Sequence, residues 1–325
     1  MGSDGQTVTR GSFLDWDTVD QGDLDAGALE AALPALRRHP YTAPDQVAGR
    51  IADAQVAITN KVVLDAERLA GAPDLKLVCI TATGTNNVDL GAAAERGITV
   101  CNVRAYATAS VVEHVFALIL SLTRRLEEYA GAVRAGRWQQ ASTFALLDYP
   151  VRELTGKLMG IVGYGELGQA VAGVARAFGM EVQVAQRPGG DSRPGRVPLH
   201  ELLPRADVLT LHTPLTPETR GLIGARELAL MKPDALLINT ARGGIVDEAA
   251  LADALTAGRL GGAGVDVLAE EPPVGGSPLL ELSVPRLIVT PHVAWASREA
   301  RQRVVDETVA NIRAFQAGEP RNTVT

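Results

Sequence analysis

Three stretches in the last third of the sequence carry side chains that can act together on a small acid. INTARGGIVDE holds Arg242, GAGVDVLAEEPP holds Asp266, Glu270 and Glu271, and LIVTPHVAWAS holds His292. Each follows an apolar run that reads as a strand. Each therefore sits at a strand's carboxyl end, where open α/β sheets bind ligands. Histidine is suited to moving a proton because its pKa lies near neutrality. A carboxylate on its other ring nitrogen fixes the tautomer and favours the imidazolium, and such an acid contributes about 10²–10⁴-fold to a rate. An arginine fork can meet a substrate carboxylate with two bonds. Taken singly, each residue also has an ordinary reading. Arg242 could be a surface or capping residue, Glu271 a solvated residue before Pro272, and His292 a satisfied core histidine.

The partner chemistry is written upstream. LMGIVGYGELGQAVAGVARAFG contains the spacing Gly163, Gly165, Gly168 between an apolar strand and an amphipathic helix, with another strand next. That context is what a dinucleotide-binding turn requires. Gly163 allows the tight turn, Gly165 lets the backbone approach a pyrophosphate, and Gly168 lets helix and strand pack closely. The amides around Glu166 and Leu167, at the helix N-terminus, would face the phosphates. The following strand, EVQVAQRP, ends on Gln186 and Arg187 rather than on a carboxylate. An amide beside a guanidinium tolerates or attracts a ribose 2′-phosphate, so NADP is expected over NAD. Arg193 and Arg196 in the next loop could assist. Hydride transfer between a nicotinamide and a carbonyl needs a proton for the developing alkoxide and a held substrate. The histidine and the arginine supply those two needs.

These side chains need a scaffold of alternating strands and helices. QVAIT (55–59), LKLVCI (75–80) and ITVCNV (98–103) read as strands in the first part. LMGIVGYG, MEVQVAQ, ADVLTLH, DALLINTA, GAGVDVL and RLIVTPH read as six more between 158 and 292. Near-continuous Val/Ile/Leu runs fit parallel strands covered on both faces. A long apolar helix is expected over about 109–126. A last helix is expected from an N-cap at Ser297 to Gly318, carrying the chain back to the first domain. Linkers then fall near 102–106 and 288–293. His39, His114 and His200 read as structural, and His212 as structural or lining the cofactor cleft.

Bulk composition narrows the partners. At 325 residues the chain is long enough for two domains. A net charge of -7 argues against nucleic acid or an anionic membrane as partner. Cys79 and Cys101 are the only cysteines, both in apolar runs, and read as buried thiols. The sequence opens without the pattern of a secretory leader, and the apolar run 115–122 is too short to span a bilayer. A cytoplasmic protein without a metal site is the expectation.

With these blocks in view, the sequence resembles the D-isomer-specific 2-hydroxyacid dehydrogenase family over essentially its whole length. ATGTNNVDL, GIVGYGELG, INTARGGIVDEAAL with GAGVDVLAEEPP, and TPHVAWAS carry the resemblance. ITATGTNNVDL and TPHVAWASREARQR look most like the bacterial glycerate dehydrogenases, also called hydroxypyruvate reductases. The resemblance implies an α/β fold of two Rossmann-like domains with parallel sheets. A dinucleotide-binding domain, 105–290, would be inserted into a discontinuous flavodoxin-like substrate domain, 1–104 and 291–325. It implies NAD(P)H-dependent reduction of a small 2-keto acid, of hydroxypyruvate or glyoxylate type, to the D-2-hydroxy acid by a homodimer. The expected dimer contact is the long helix near 109–126.

The roles it implies are specific. Arg242 binds the substrate carboxylate, His292 is the proton donor, and Glu271 rather than Glu270 pairs with it. Asp266, Thr240, Ala241 and Pro214 line the cofactor. Thr83 and Gly84 offer backbone amides to the substrate from the other domain, and Trp295 walls the substrate pocket. Gln186 departs from the acidic residue of NAD-using members, and Leu268 from a common aromatic. The histidine–glutamate pair argues against formate dehydrogenase, where glutamine partners the histidine. A dinucleotide-sensing corepressor and a phosphite dehydrogenase are the alternatives the same scaffold allows.

Overall fold

The computed structural model describes residues 7–187, 190, 193–281 and 284–325. The chain divides into two compact units, one of Met1–Ala107 with Ala296–Thr325, the other of Thr108–Trp295. The crossings thus fall at 107/108 and 295/296, a few residues beyond the expected boundaries.

The first unit is built on five parallel strands, β1 (Arg10–Phe13), β2 (Ala35–Arg38), β3 (Val56–Thr59), β4 (Leu77–Ile80) and β5 (Thr99–Cys101), in the order β2-β1-β3-β4-β5. Alternate residues feed opposite faces, as the pleat requires. Ile58, Leu77 and Cys79 pack with Val304, Val309 and Phe315 of the helix Arg298–Gln316. Ala57, Val78 and Ile80 pack with Ile51, Leu69 and Ala93 on the other side. Both faces are therefore dry, which explains the unbroken apolar runs. The last helix begins where its cap predicts, with Ser297 Oγ accepting from the Ala300 amide at 3.2 Å. Arg301 on that helix forks onto Asp23 at 2.7 and 2.8 Å, and this contact draws the Asp23 carboxyl down to about 2. Cys79 and Cys101 are buried free thiols on paired strands.

The second unit carries seven parallel strands, β6 (Leu158–Val162), β7 (Glu181–Ala185), β8 (Arg196–Val197), β9 (Val208–Leu211), β10 (Leu236–Asn239), β11 (Gly262–Val265) and β12 (Leu287–Val289). Their order is β12-β11-β10-β9-β6-β7-β8. The winding reverses between β6 and β9, which makes a crevice at their carboxyl ends the natural ligand site. The helix Thr108–Arg124 lies so close to β11 that a Cβ on Gly264 would come within 2.9 Å of Leu118 Cβ.

Two expectations need correction. The long helix does not run to 126: it stops at Arg124, Arg125 turns the chain with φ +57, and a second helix, Leu126–Arg134, follows. Its apolar residues Val111, Val115, Phe116, Leu118, Ile119 and Leu122, expected at a dimer contact, are also already buried in the single chain.

Replacing Phe315 with alanine, which empties a nearly enclosed site between the last helix and the first sheet, is expected to cost about 3–5 kcal/mol. A urea melt followed by circular dichroism checks this; an unchanged midpoint contradicts the packing described.

Candidate active site

The carboxyl edge of the seven-stranded sheet collects the chemistry. Gly163 follows β6, Gln186 follows β7, His212 follows β9, Thr240 to Arg242 follow β10, Asp266 follows β11, and Thr290 to His292 follow β12. All strands are parallel, so these turns emerge on one side.

Close approach explains the glycines. Gly163 has φ +91, and a Cβ there would lie 2.3 Å from the His212 carbonyl oxygen, across the switch point. A Cβ on Gly168 would lie 2.2 Å from the Gly163 carbonyl oxygen, so this glycine sets the helix Glu166–Ala177 against the turn. Gly165, the N-cap residue, would meet nothing within 4 Å and leaves open space before the helix N-terminus. Glu166 is bound by the Thr108 hydroxyl, and Leu167 follows it in the first helical turn. An open face beside the first amides of a 12-residue helix fits a pyrophosphate.

Deeper in the crevice two buried polar atoms lack partners among the described residues, His212 Nδ1 and Thr240 Oγ1. His212 donates to or accepts from Thr210 Oγ1 through Nε2 at 2.9 Å. Its burial pushes the imidazole pKa down to about 4, so the ring is neutral at pH 7. Ala241 donates its amide to Asn239 Oδ1 at 3.1 Å, and Pro214 gives its carbonyl to Thr219 Oγ1 at 2.7 Å. Gln186 is half-buried with its amide on the Val197 carbonyl at 2.8 Å, and Arg187 is exposed. Open glycine face, orphaned donors and acceptors and an amide–guanidinium pair are together what a dinucleotide needs.

The reactive set lies on the adjoining turns. His292 Nδ1 meets Glu271 Oε2 at 2.7 Å, and Glu271 Oε1 accepts from the Leu268 amide at 2.9 Å. The imidazole's Nε2 makes no hydrogen bond among the described residues. Both side chains are part-exposed, 29% for His292 and 36% for Glu271. Arg242 is exposed and enters no ion pair among the described residues; its Nη1 rests on the Ala241 carbonyl at 2.6 Å. Its loop is pinned against the Glu271 loop, because a Cβ on the next residue, Gly243, would fall 1.8 Å from the Leu268 carbonyl oxygen. Glu270, exposed beside them, does not touch His292.

Asp266 underlies this set. It is 1% exposed, and its carboxylate accepts from Thr290 Oγ1 at 2.5 Å and from the amides of Val293 and Ala294 at 2.9 Å each. Its own carbonyl accepts the His292 amide at 2.8 Å. His114 Nε2 reaches Thr290 Oγ1 at 3.0 Å. Sequence reasoning read His114 as structural and gave Thr290 no role. Nothing in their spacing links them, since 176 positions separate the pair.

Trp295 closes the second unit and is half-buried. Thr83 and Gly84 belong to the first unit, at the carboxyl end of β4, where Thr83 Oγ1 donates to the Val103 carbonyl at 2.9 Å. Arg196 lies in β8, and Leu268 is 9% exposed. Among the described residues no three His, Cys, Asp or Glu side chains cluster as a metal site, and no helix is long and apolar enough to cross a membrane.

Known proteins resemble the chain over most of its length. The family model for the D-isomer specific 2-hydroxyacid dehydrogenase NAD binding domain matches residues 116–294. A glycerate dehydrogenase of Methylorubrum extorquens is 47% identical over 94% of this chain and 97% of its own. A crystal structure of a Thermus thermophilus protein superposes with a TM-score of 0.85 at 36% identity, covering 97% of this chain and 100% of that one. An NADPH-dependent glyoxylate/hydroxypyruvate reductase of Sinorhizobium meliloti, solved with NADP and malonate, gives 0.79 at 29% identity over 98% and 97%.

The neutral, buried His212 predicts a pH dependence. Between pH 6.5 and about 4 the unfolded ring binds a proton that the folded ring refuses, so stability is fully present above 6.5 and falls with acidification. The loss from this group is expected to be roughly 2 kcal/mol between pH 6.5 and 5. Urea unfolding of wild type and His212→Gln at pH 7 and pH 5 tests it: the variant should lose less on acidification, and equal losses refute the assignment.

Proposed function

The chain belongs to the D-isomer-specific 2-hydroxyacid dehydrogenase family, and from that premise we propose that it reduces hydroxypyruvate or glyoxylate to the D-2-hydroxy acid, reversibly, with NADPH preferred to NADH. That it is an oxidoreductase of small 2-keto and 2-hydroxy acids using a nicotinamide dinucleotide follows from the family. The choice of substrate is supported by the glycerate dehydrogenase and the glyoxylate/hydroxypyruvate reductase among its relatives. The single observation that carries the mechanism is the 2.7 Å pair of His292 Nδ1 with Glu271, which leaves Nε2 free to act.

In this reading Gly163, Gly165, Gly168 and the amides of Glu166 and Leu167 hold the pyrophosphate, while Pro214, Thr240, Ala241 and Asp266 line the nicotinamide side. When bound, the nicotinamide supplies or receives the hydride. The exposed guanidinium of Arg242 takes the substrate carboxylate as a fork and fixes the carbonyl. His292, charged and held by Glu271, donates its Nε2 proton to the carbonyl oxygen as negative charge develops there. In the oxidative direction the same nitrogen removes the hydroxyl proton. Thr83 and Gly84 contribute backbone amides to the carboxylate, and Trp295 bounds the substrate side chain.

Cofactor preference rests on Gln186 and Arg187. Neither repels a 2′-phosphate, and the exposed Arg187 can pair with one. A cytoplasmic homodimer completes the proposal. With the long helix's apolar residues already buried in the single chain, the exposed apolar residues Trp138, Phe144 and Leu147 are the candidate contact.

Loss of absorbance near 340 nm with NADPH and a panel of 2-keto acids tests the activity. His292→Ala should lower kcat by about 10²–10⁴-fold with cofactor affinity unchanged, and Arg242→Ala should raise KM as well as lower kcat. Near-wild-type turnover of His292→Ala removes the proton-donor role, and tight cofactor binding without turnover on any acid favours the sensor reading. Separately, Gln186→Asp should move the NADPH/NADH ratio of kcat/KM toward NADH by about tenfold or more; an unmoved ratio counts against the 2′-phosphate argument.

A further inference from the structure

On the helix Thr108–Arg124, Ser110, His114 and Leu118 recur every fourth residue and so share one face. Their contacts follow the chain they meet. A Cβ on Gly264, in β11, would come within 2.9 Å of Leu118 Cβ. One helical turn earlier, His114 Nε2 lies 3.0 Å from Thr290 Oγ1 and 3.6 Å from Asp266 Oδ1. One turn earlier again, Ser110 Oγ donates to the Ala294 carbonyl at 2.7 Å. The helix therefore grips both ends of the turn 290–294, and His292 stands at the middle of that turn.

The direction of these hydrogen bonds follows from the donors present. Both Asp266 oxygens accept amides, Oδ1 from Val293 and Oδ2 from Ala294 at 2.9 Å each, and Oδ1 also accepts the Thr290 hydroxyl at 2.5 Å. The one hydroxyl proton of Thr290 is thereby committed, so its oxygen accepts from His114 Nε2–H. The imidazole can donate there both as the Nε2–H tautomer and as the imidazolium. Ser110 is equally specific. A helix serine commonly returns its hydroxyl to the backbone of its own helix, whereas this one reaches a residue 184 positions away and is itself buried.

Asp266 and the helix hold the turn by different groups. Asp266 takes the amides of Val293 and Ala294 on its carboxylate and the His292 amide on its carbonyl, all from the side of β11. The helix takes the Ala294 carbonyl and the Thr290 side chain. Either set alone leaves the turn a pivot, and rotation about that pivot would carry the His292 ring with it. The two sets together remove the pivot. Placement of a proton donor matters at this scale, because a displacement of about 1 Å can cost on the order of 10²-fold in rate.

We propose that Ser110 and His114 are positioning residues for the proton donor, holding the two ends of the turn so that His292 Nε2 stays where the carbonyl oxygen needs it. The inference rests on the reading of His292 as donor and lies wholly within the second unit. His114 exchanges no proton with substrate in this role; it supplies an N–H to Thr290.

Three variants of the full-length protein test it. His114→Leu removes the N–H, His114→Gln keeps an N–H on a side chain of similar reach, and Ser110→Ala releases the other end of the turn. His114→Leu and Ser110→Ala should each lower kcat about tenfold or more, with the KM for hydroxypyruvate and the affinity for NADPH held. The solvent deuterium isotope effect on kcat should rise in both, because proton delivery becomes the slower event. His114→Gln should recover most of the lost kcat. In the protein without coenzyme, amide exchange of peptides covering 290–296, read by mass spectrometry, should quicken in His114→Leu and Ser110→Ala and return toward wild type in His114→Gln. Thermal melts confirm folding of each variant, and Ser110→Ala carries the test if His114→Leu does not fold. Unchanged kcat and exchange overturn the inference, as does an equal loss in His114→Gln and His114→Leu. His292→Ala, run alongside, separates the two readings. Near-wild-type turnover in that variant sinks the donor reading and the positioning role with it, whereas collapse there with normal turnover in the His114 and Ser110 variants sinks the positioning role alone.

Discussion

One buried carboxylate holds the reactive turn in place. Asp266, at the end of β11, gathers a hydroxyl and two amides from the segment after β12 and accepts the His292 amide on its own carbonyl. His292 has φ +56, a left-handed conformation that costs roughly 1–3 kcal/mol for such a residue. Hydrogen bonds to a charged acceptor contribute about 1.5–3 kcal/mol each, so three of them can sustain that conformation. The two carboxylates therefore divide the work by environment. Asp266 is dry and fully bonded to backbone and hydroxyl, so it shapes the turn. Glu271 is partly exposed and bonded to the ring, the position from which a carboxylate fixes an imidazole's tautomer.

Absence of side chain is the second constraint. Gly163 against His212, Gly168 against Gly163 and Gly243 against Leu268 are contacts that no Cβ could occupy. They bring neighbouring strand-end turns within van der Waals reach of each other. Gly165 differs from these three, because its missing Cβ leaves space open rather than letting protein fill it. The same motif thus contains two kinds of glycine, for packing and for access.

What the sequence made legible follows from this. Patterns confined to one turn, such as the glycine spacing, the Ser297 cap and the apolar runs of the buried parallel strands, depend on local backbone demands and are readable residue by residue. β1 and β2 escaped because four-residue strands carry little periodicity, and edge strand β2, largely exposed and ending in Arg37 and Arg38, resembles a solvated loop. The break at Arg125 escaped because neither glycine nor proline marks it. His114 was read as structural in a helix. Its contact with Thr290 joins parts of the chain far apart in sequence, and only the packing of the helix Thr108–Arg124 against β11 brings them together.

The second sheet sorts its two edges by the direction of its strands. Parallel strands send every carboxyl end to one side, where each turn can be short and glycine-rich and can expose amides. They send every amino end to the other side, where glycines also turn the chain: Gly156, Gly179, Gly195 and Gly258 all have positive φ. At the first edge, positive character comes from backbone N–H groups and the helix terminus, which suits a ligand that must be approached closely and released. A fold that sorts its ends in this way confines the candidate chemistry to one edge, with the buried strands β9, β10 and β11 between it and the other.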